Sequence, residues 1–166
     1  RFCDHDCEPS GSLAEVQRHP LMLGVKVSSF TQPTATGNHS VTGVGFQPKA
    51  ILFWMTSETA DGSAASGRRS FGFAASSTQR SYSATSFRGV IGNFAGRRQD
   101  DTKCIGCYLY TGTSTIEYDS DFVSFDTDGF TLNCTTTDGT ERIVNFMAFG
   151  QGVTNAAVGG FTIPTS

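Results

Sequence analysis

Short apolar segments separated by turn residues follow one another along residues 24–166. Hydrophobic residues that alternate with polar ones at a period of two are typical of β-strands with one buried face. The pattern predicts strands near residues 25–29, 41–46, 50–55, 71–73, 105–110, 122–125, 130–134, 143–149 and 161–163. Short strands with turns roughly every 8–12 residues predict an all-β fold, an antiparallel β-sandwich of jelly-roll type, for the domain over residues 24–166.

Two of these segments are more specific than the rest. Residues 50–55 are apolar without interruption, which for this length is typical of a strand covered on both faces. Asp128 and Gly129 lie between two apolar stretches and predict the turn of a β-hairpin. Alternation and apolar runs together predict a core of Val41, Leu52, Trp54, Phe71, Phe73, Ile105, Leu109, Phe122, Phe130, Leu132, Ile143 and Phe149.

Residues 1–23 differ in character from the rest and are predicted to form an N-terminal arm. Ser12 and Glu15 have the spacing of a capping box, and Pro20 would end the helix that they begin. We therefore expect one or two helical turns over residues 13–19. A helix this short forms only when it packs on something, so a disordered tail is the alternative.

Charge and composition limit the partners of this chain. Charged residues make up 16% of the sequence, against roughly 25% in a typical soluble domain. The net charge of −3 provides no general positive field for a phosphate backbone, so nucleic acid is not expected as a partner. No apolar run approaches the roughly 18 residues that span a bilayer, and the first residues do not have the pattern of a signal peptide. We expect a soluble protein that binds neither nucleic acid nor a membrane.

No pattern in the sequence predicts catalysis or a cofactor. His5, His19 and His39 lie outside any nucleophile elbow, phosphate loop or helical histidine pair. Gly43 and Gly45 form a Gly-x-Gly that fits a bulge or close strand approach better than a dinucleotide site. The sequence therefore predicts a non-enzymatic protein without a catalytic, cofactor-binding or metal-binding residue.

Two groups of charged residues leave alternatives open. Four carboxylates follow one another closely enough to suit Ca²⁺, although a hairpin turn also explains their spacing. Two arginine doublets stand in loop-like sequence, where they are either candidates for a subunit interface or ordinary solvated charges. The carboxylates are Asp119, Asp121, Asp126 and Asp128, and the doublets are Arg68 with Arg69 and Arg97 with Arg98.

Four segments of this chain resemble a known family. TATGNHSVTGVGFQPKAILFW, RRQDDTKC, DFVSFDTDGFTLN and RIVNFMAFG look like recurring blocks of the small β-rich virion structural proteins of tailed bacteriophages. The resemblance covers about residues 25–150; the arm and Cys134 depart from it. It implies a capsid-decorating or neck or tail subunit, assembled in the host cytoplasm, that forms homo-oligomers and binds other virion proteins such as major capsid or tail proteins. It brings no catalytic residue.

The five cysteines are an odd number and cannot all pair within one chain. Alternation places Cys107 and Cys134 beside core residues, so both are expected to be buried. Cys3, Cys7 and Cys104 remain as accessible thiols. Since a virion persists in oxidising surroundings, at least one of these three is predicted to form a disulfide with a neighbouring subunit. A zinc site on Cys3, His5 and Cys7 is an alternative that lacks a fourth ligand.

A different class of function follows from the jelly-roll prediction. Jelly-roll sandwiches also serve as lectins, so a carbohydrate-binding module of a receptor-recognition apparatus is the alternative function. Aromatic side chains at strand positions would then stack on sugars. The candidates are Tyr82, Phe87, Tyr108 and Tyr110.

Overall fold

The computed structural model describes residues 24–63, 66–88, 94–150, 152, 153 and 156. These residues form ten β-strands and no helix, which confirms the all-β prediction for this part of the chain. The predicted arm with its helix, and the strand predicted at 161–163, lie outside the described residues. The strands are β1 Val25–Thr31, β2 Gly37–Thr42, β3 Ala50–Met55, β4 Ser66–Ala74, β5 Arg80–Arg88, β6 Phe94–Asp100, β7 Ile105–Tyr110, β8 Ser114–Asp126, β9 Gly129–Thr137 and β10 Ile143–Phe149.

The strands form two antiparallel sheets. The six-stranded sheet has the order β1-β10-β3-β4-β5-β6, and the four-stranded sheet has the order β2-β9-β8-β7. Strands β3 to β6 and β7 to β9 therefore run as meanders, each strand beside its neighbour in sequence. The first two strands pair with the last two, because β1 pairs with β10 in the six-stranded sheet and β2 pairs with β9 in the four-stranded sheet.

The predicted strands agree with the structure where the apolar signal is strong. Strands β3 and β10 have the predicted bounds, and the β8–β9 hairpin turns between Asp126 and Gly129 as expected. The strand predicted at 41–46 is wrong in its bounds, since β2 ends at Thr42. Gly43 and Gly45 follow it with φ of 80° and 89°, a left-handed backbone that glycine adopts without strain. The Asp128 carboxylate accepts both of their amide hydrogens, at 3.0 and 2.5 Å.

Side chains from both sheets meet in one aromatic core. Phe53 on β3 packs edge-on against Phe130 on β9, with ring centroids 5.7 Å apart. Phe146 on β10 lies 5.1 Å from the same Phe130 ring, also edge-on. Edge-to-face pairs of this kind add to the stabilisation from apolar burial. Phe130 is fully buried, and its ring joins the two sheets by contacting both β3 and β10.

The predicted core is right on the four-stranded sheet except at Leu109, and wrong on the six-stranded sheet. Val41, Ile105, Phe122, Phe130 and Leu132 are buried as expected. On β3, β4 and β10 the buried positions are the neighbours of the predicted ones, while Leu109 on β7 is only half-buried. The physical reason is that both faces of β3 and β10 are apolar, so alternation shows which residues share a face without showing which face points inward. Misplaced residues of the six-stranded sheet are Leu52, Trp54, Phe71, Phe73, Ile143 and Phe149.

Away from this core, glycines bring strand β7 close to the six-stranded sheet. A Cβ atom at Gly72 on β4 would lie 1.9 Å from the Cys104 carbonyl oxygen. A Cβ at Gly106 on β7 would lie 2.2 Å from an oxygen of Asp119 and 2.6 Å from the Tyr82 ring. Only glycine fits at such distances. The close approach allows the charged side chains of β8 to reach those of β4, β5 and β6.

Candidate functional site

The face of the six-stranded sheet that points away from the core is apolar over four adjacent strands. Val27, Met147, Leu52 and Phe73 are successive register partners across β1, β10, β3 and β4. Trp54 and Phe71 pair in the next row. We call this surface the outer apolar face and define it as Val25, Val27, Leu52, Trp54, Phe71, Phe73, Met147 and Phe149.

Three members of the outer apolar face are exposed to solvent and the rest are partly exposed. Val25, Val27 and Phe71 are 45%, 56% and 50% exposed, and the other members are half-buried. An antiparallel sheet with one solvated face normally carries polar side chains there. Contiguous exposed apolar patches are typical of interaction sites, which makes this face the candidate. The sequence signal for it was the uninterrupted apolar run at 50–55, which indicated a strand covered on both sides.

Two arginines extend the outer apolar face toward the other edge of the sheet. Arg69 on β4 and Arg97 on β6 are both register partners of Thr85 and share the outward side with it. Both side chains are exposed. Neither takes part in the ion pairs found among the described residues. The outward-facing register positions described here include no carboxylate, so this end of the face carries unbalanced positive charge.

The other member of each arginine doublet points inward. Arg68 pairs with Glu117 of β8, and the Arg98 guanidinium bonds to Asp100 and lies 3.5 Å from Asp119. The expected loop placement of the doublets is wrong, because both lie within strands and strand alternation sends adjacent side chains to opposite faces. Of the four arginines, only Arg69 and Arg97 remain exposed interface candidates, and their role in an interface stays a prediction.

A buried group of hydrogen-bonded charges joins the two sheets beside β7. The Tyr82 hydroxyl donates to Asp119, which is 3% exposed, and accepts from the Arg98 Nε at 2.8 Å. Burial raises the pKa of Asp119, and the bond from Tyr82 and the charge of Arg98 oppose that rise. Burial also raises the pKa of Tyr82 well above its ordinary value, so its hydroxyl remains a donor. These groups satisfy one another and stabilise the packing of the sheets.

A second charged group lies around Arg142, which is 4% exposed. Its guanidinium lies 2.8 Å from Glu117 and 2.7 Å from Asp138, and it donates to Gln32 at 3.3 Å. Its Nε has no partner among the described residues. The hydrogen bond from Arg142 lowers the pKa of Asp138. Because Glu117 also binds Arg68, this one carboxylate pairs with two guanidinium groups, and Arg142 in turn pairs with two carboxylates.

The described cysteines are all buried free thiols. This confirms the expectation for Cys107 and Cys134, whereas the prediction that Cys104 is accessible is wrong. Cys104 is 0% exposed, its thiol donates to the Ser120 carbonyl at 3.3 Å, and burial raises its pKa. The reason is the close packing of β7, which covers the residue just before that strand. Cys3 and Cys7 lie outside the described residues, and an intersubunit disulfide through them stays a prediction.

The candidate sugar-stacking residues do not form one exposed surface. Tyr82 is 1% exposed and Tyr108 is 6% exposed, so neither ring is available for stacking. Tyr110 packs parallel to Tyr108 with ring centroids 6.4 Å apart, on the inner side of the sheet. Phe87, at 52% exposed, points outward. Strand alternation thus places Phe87 on a different face from the three tyrosines. The expectation that the tyrosines stack on sugars is corrected, because they serve as inner packing residues.

The aspartates considered for calcium are engaged separately. Asp119 binds Tyr82, Asp121 pairs with Arg80, and Asp126 accepts from Ser124 and Thr131. Asp128 holds the turn after β2. Within the part of the chain that the structure describes, no three metal-ligating side chains converge. The described residues also contain no helix long and apolar enough to cross a membrane.

Comparisons of the chain with protein-family models, with curated proteins and with solved structures found no match. The resemblance to phage virion proteins therefore remains an expectation from its four sequence blocks. The outer apolar face with Arg69 and Arg97 is the surface whose properties the fold itself does not explain.

Proposed function

We propose that this protein is a non-enzymatic structural subunit of a tailed-phage virion, a decoration, cement, neck or tail component that self-associates and binds other virion proteins. The observation that carries the proposal is the outer apolar face. Within the part of the chain that the structure describes, Val27 and Phe71 remain 56% and 50% exposed, and a partner surface is the cover that we propose for them. Covering apolar surface stabilises an assembly by roughly 25 cal/mol per Å².

The arrangement of polar groups favours assembly over turnover. Buried charges such as Asp119 and Arg142 are held by neighbouring side chains in the interior. The exposed outward surface instead combines large apolar side chains with Arg69 and Arg97 at one side. Aromatic residues and arginine are enriched in protein–protein interfaces, which supports binding to protein as the function of this surface.

The proposal includes a β-sandwich of jelly-roll type. It is supported by the core shared between the sheets and by the first and last strands, since β1 and β10 pair in one sheet while β2 and β9 pair in the other. In a jelly roll, strand pairs pass from sheet to sheet in this way. Strands β3 to β6 depart from that scheme, because they form a meander within one sheet.

Self-association is tested by Phe71→Ser in the full chain, measured by sedimentation velocity over a range of protein concentrations. Wild-type protein should form oligomers, and the variant should remain monomeric at concentrations where wild type associates. Val123→Ser is the matched control, because Val123 is an exposed apolar residue, at 42%, on the four-stranded sheet. A wild-type protein that is monomeric throughout, or equal loss of association in both variants, would contradict the proposal.

Location in the virion is tested separately by mass spectrometry of purified particles. The protein should be present in a constant ratio to the major capsid or tail protein. Absence from the particles would reject the virion role while leaving self-association intact. The carbohydrate-binding alternative keeps Phe87 as its exposed aromatic residue, and a glycan array with Phe87→Ala as the control variant would detect it.

A further inference from the structure

We propose that residues 1–23 of a neighbouring copy cover the outer apolar face, with their acidic residues paired to Arg69 and Arg97. This inference rests on the proposed self-association and names the surface and the segment that produce it. The proposed occupant is an acidic, partly apolar stretch of this same chain. The surface that it covers is basic at one side and apolar over the rest.

The position of Gly24 is the first reason for this assignment. Its carbonyl accepts from the Gly150 amide at 2.9 Å, and the next residue, Val25, pairs with Phe149. The row of Val25, Phe149 and Ala50 is the last row at this end of β1, β10 and β3. A chain that continues from Gly24 in line with β1 leads past the end of its own sheet. To cover its own outer face it would have to reverse direction, so we assign the contact to an adjacent copy.

The composition of residues 1–23 is the second reason. Apolar side chains are concentrated in its second half, at Leu13, Val16, Leu21, Met22 and Leu23. Side chains of this kind complement Trp54 and its neighbours on the outer apolar face. The width from β1 to β4 is three strand spacings, about 14 Å. Twenty-three residues reach about 75 Å when extended and about 35 Å as a helix, so length does not limit the contact.

Charge complementarity is the third reason. Asp4, Asp6 and Glu8 stand close together at the other end of the segment. The side of the outer apolar face that carries Arg69 and Arg97 has the opposite charge, since both arginines are exposed without a carboxylate partner among the described residues. A face-to-face pair of two sheets would offer these arginines no acid, because the described outward positions carry none. The acidic end of the segment supplies the missing charge, and arginine suits such pairing through its planar donor fork.

The spacing of the two halves fits the surface as well. Arg97 on β6 lies three strand spacings from Trp54 on β3, about 14 Å. In the segment, Glu8 precedes Val16 by eight residues, which corresponds to about 12 Å in a helix and about 26 Å when extended. The acidic end can therefore reach the arginines while the apolar end lies over β10, β3 and β4.

Cross-linking of mixed-isotope protein tests the inference directly. Full-length Arg69→Lys/Arg97→Lys protein is prepared unlabelled and isotopically labelled, mixed, allowed to exchange subunits and treated with a carbodiimide that joins carboxylates to amines. We expect bonds between Asp4, Asp6 or Glu8 of one isotope and the introduced amines of the other. The native Lys103, which lies between β6 and β7, is the internal control and should give few such products.

Each other outcome has its own meaning. Cross-linked products that contain a single isotope alone would show that the segment covers its own chain. That result overturns the inference that it covers a neighbouring copy. Absence of these products from an intact oligomer would show that another surface, such as a second sheet or residues 154–166, occupies the face. That result overturns the inference and leaves the proposed self-association standing. A protein that is monomeric at all concentrations rejects both.

A charge swap provides an independent measurement. Trp54 is the chain's single tryptophan and belongs to the outer apolar face, so its fluorescence reports whether that face is covered. Replacing Asp4, Asp6 and Glu8 with Lys should shift the emission to longer wavelength and weaken association roughly tenfold. Adding Arg69→Glu and Arg97→Glu should restore both values. If the combined variant is no better than either half alone, the proposed pairing is wrong.

Discussion

The two faces of the six-stranded sheet are similar in composition but differ in burial. The inward face carries Phe53, Val144 and Phe146, which are at most 2% exposed. The outward face carries Trp54 and Met147 on the same two strands and Phe71 on the next strand, β4, and Phe71 is half exposed. Hydrophobic side chains alone therefore do not define the core of this protein. What distinguishes the inward face is a second sheet that covers it.

This comparison predicts that replacing a phenylalanine by alanine has very different effects in the core, which the inward face shares with the four-stranded sheet, and on the outward face. Phe130→Ala, in the centre of the core, should lower the free energy of unfolding by about 3–5 kcal/mol, because it removes the ring that packs against both Phe53 and Phe146. Urea denaturation followed by circular dichroism measures the loss. A cost below about 1 kcal/mol would mean that the two sheets are not joined through this ring.

The sequence predicts the positions of most of the strands but not which face of each strand is buried. Residues 50–55 and 143–149 are so apolar that their strands were predicted with the right bounds. The same apolarity hid the orientation, since Leu52 and Ile51 are equally suited to a core. Strands β5 and β6 were missed because serine, arginine and other polar residues dominate them, and their strand pairing depends on neighbours distant in sequence.

The charged groups were beyond sequence analysis for a related reason. Glu117 meets Arg68 and Arg142 across 49 and 25 positions of sequence, and no local pattern connects these three residues. The arginine doublets were visible, but their division between the two faces depends on their lying in strands. The outer apolar face was indicated in part, because an uninterrupted apolar strand implies a cover on both sides.

The next largest effect is expected inside the sheet junction, at Glu117. Glu117→Gln removes the charge that pairs with Arg68 and with the buried Arg142, and leaves Asp138 as the one carboxylate bound to Arg142 among the described residues. We expect a loss of about 3 kcal/mol in the free energy of unfolding, as for other broken buried ion pairs. Glu141→Gln, at an exposed neighbouring position, is the control and should cost less than about 0.5 kcal/mol. Equal effects of the two changes would show that the ionic group does not stabilise the fold.

A smaller and pH-dependent effect is expected at Asp138. Its pKa is lowered in the folded state by the hydrogen bond from Arg142, so the stabilisation is present above the unfolded-state pKa of about 3.9 and is lost as the pH falls below it. Asp138→Asn should cost about 1–2 kcal/mol near pH 7 and progressively less in acid. The pH dependence at Asp119 should have the opposite sign. Burial raises the pKa of Asp119 and so favours its protonated form on folding, and its contribution to the free energy of unfolding therefore falls as the pH rises. Urea titrations from about pH 7 to pH 3 would show whether the two signs differ.

The smallest effect on the fold is expected on the outer face, at Phe71, which repeats the change made at Phe130. Since half of its side chain is already in solvent, Phe71→Ala should lower the free energy of unfolding of dilute protein by less than about 1 kcal/mol. The deficit should grow as wild-type protein is concentrated, because association stabilises only the folded state whose outer face is intact. Thermal unfolding at several protein concentrations separates the two contributions. If the melting temperatures of wild type and variant differ by the same amount at every concentration, the outer face does not take part in assembly and the two faces differ only in burial.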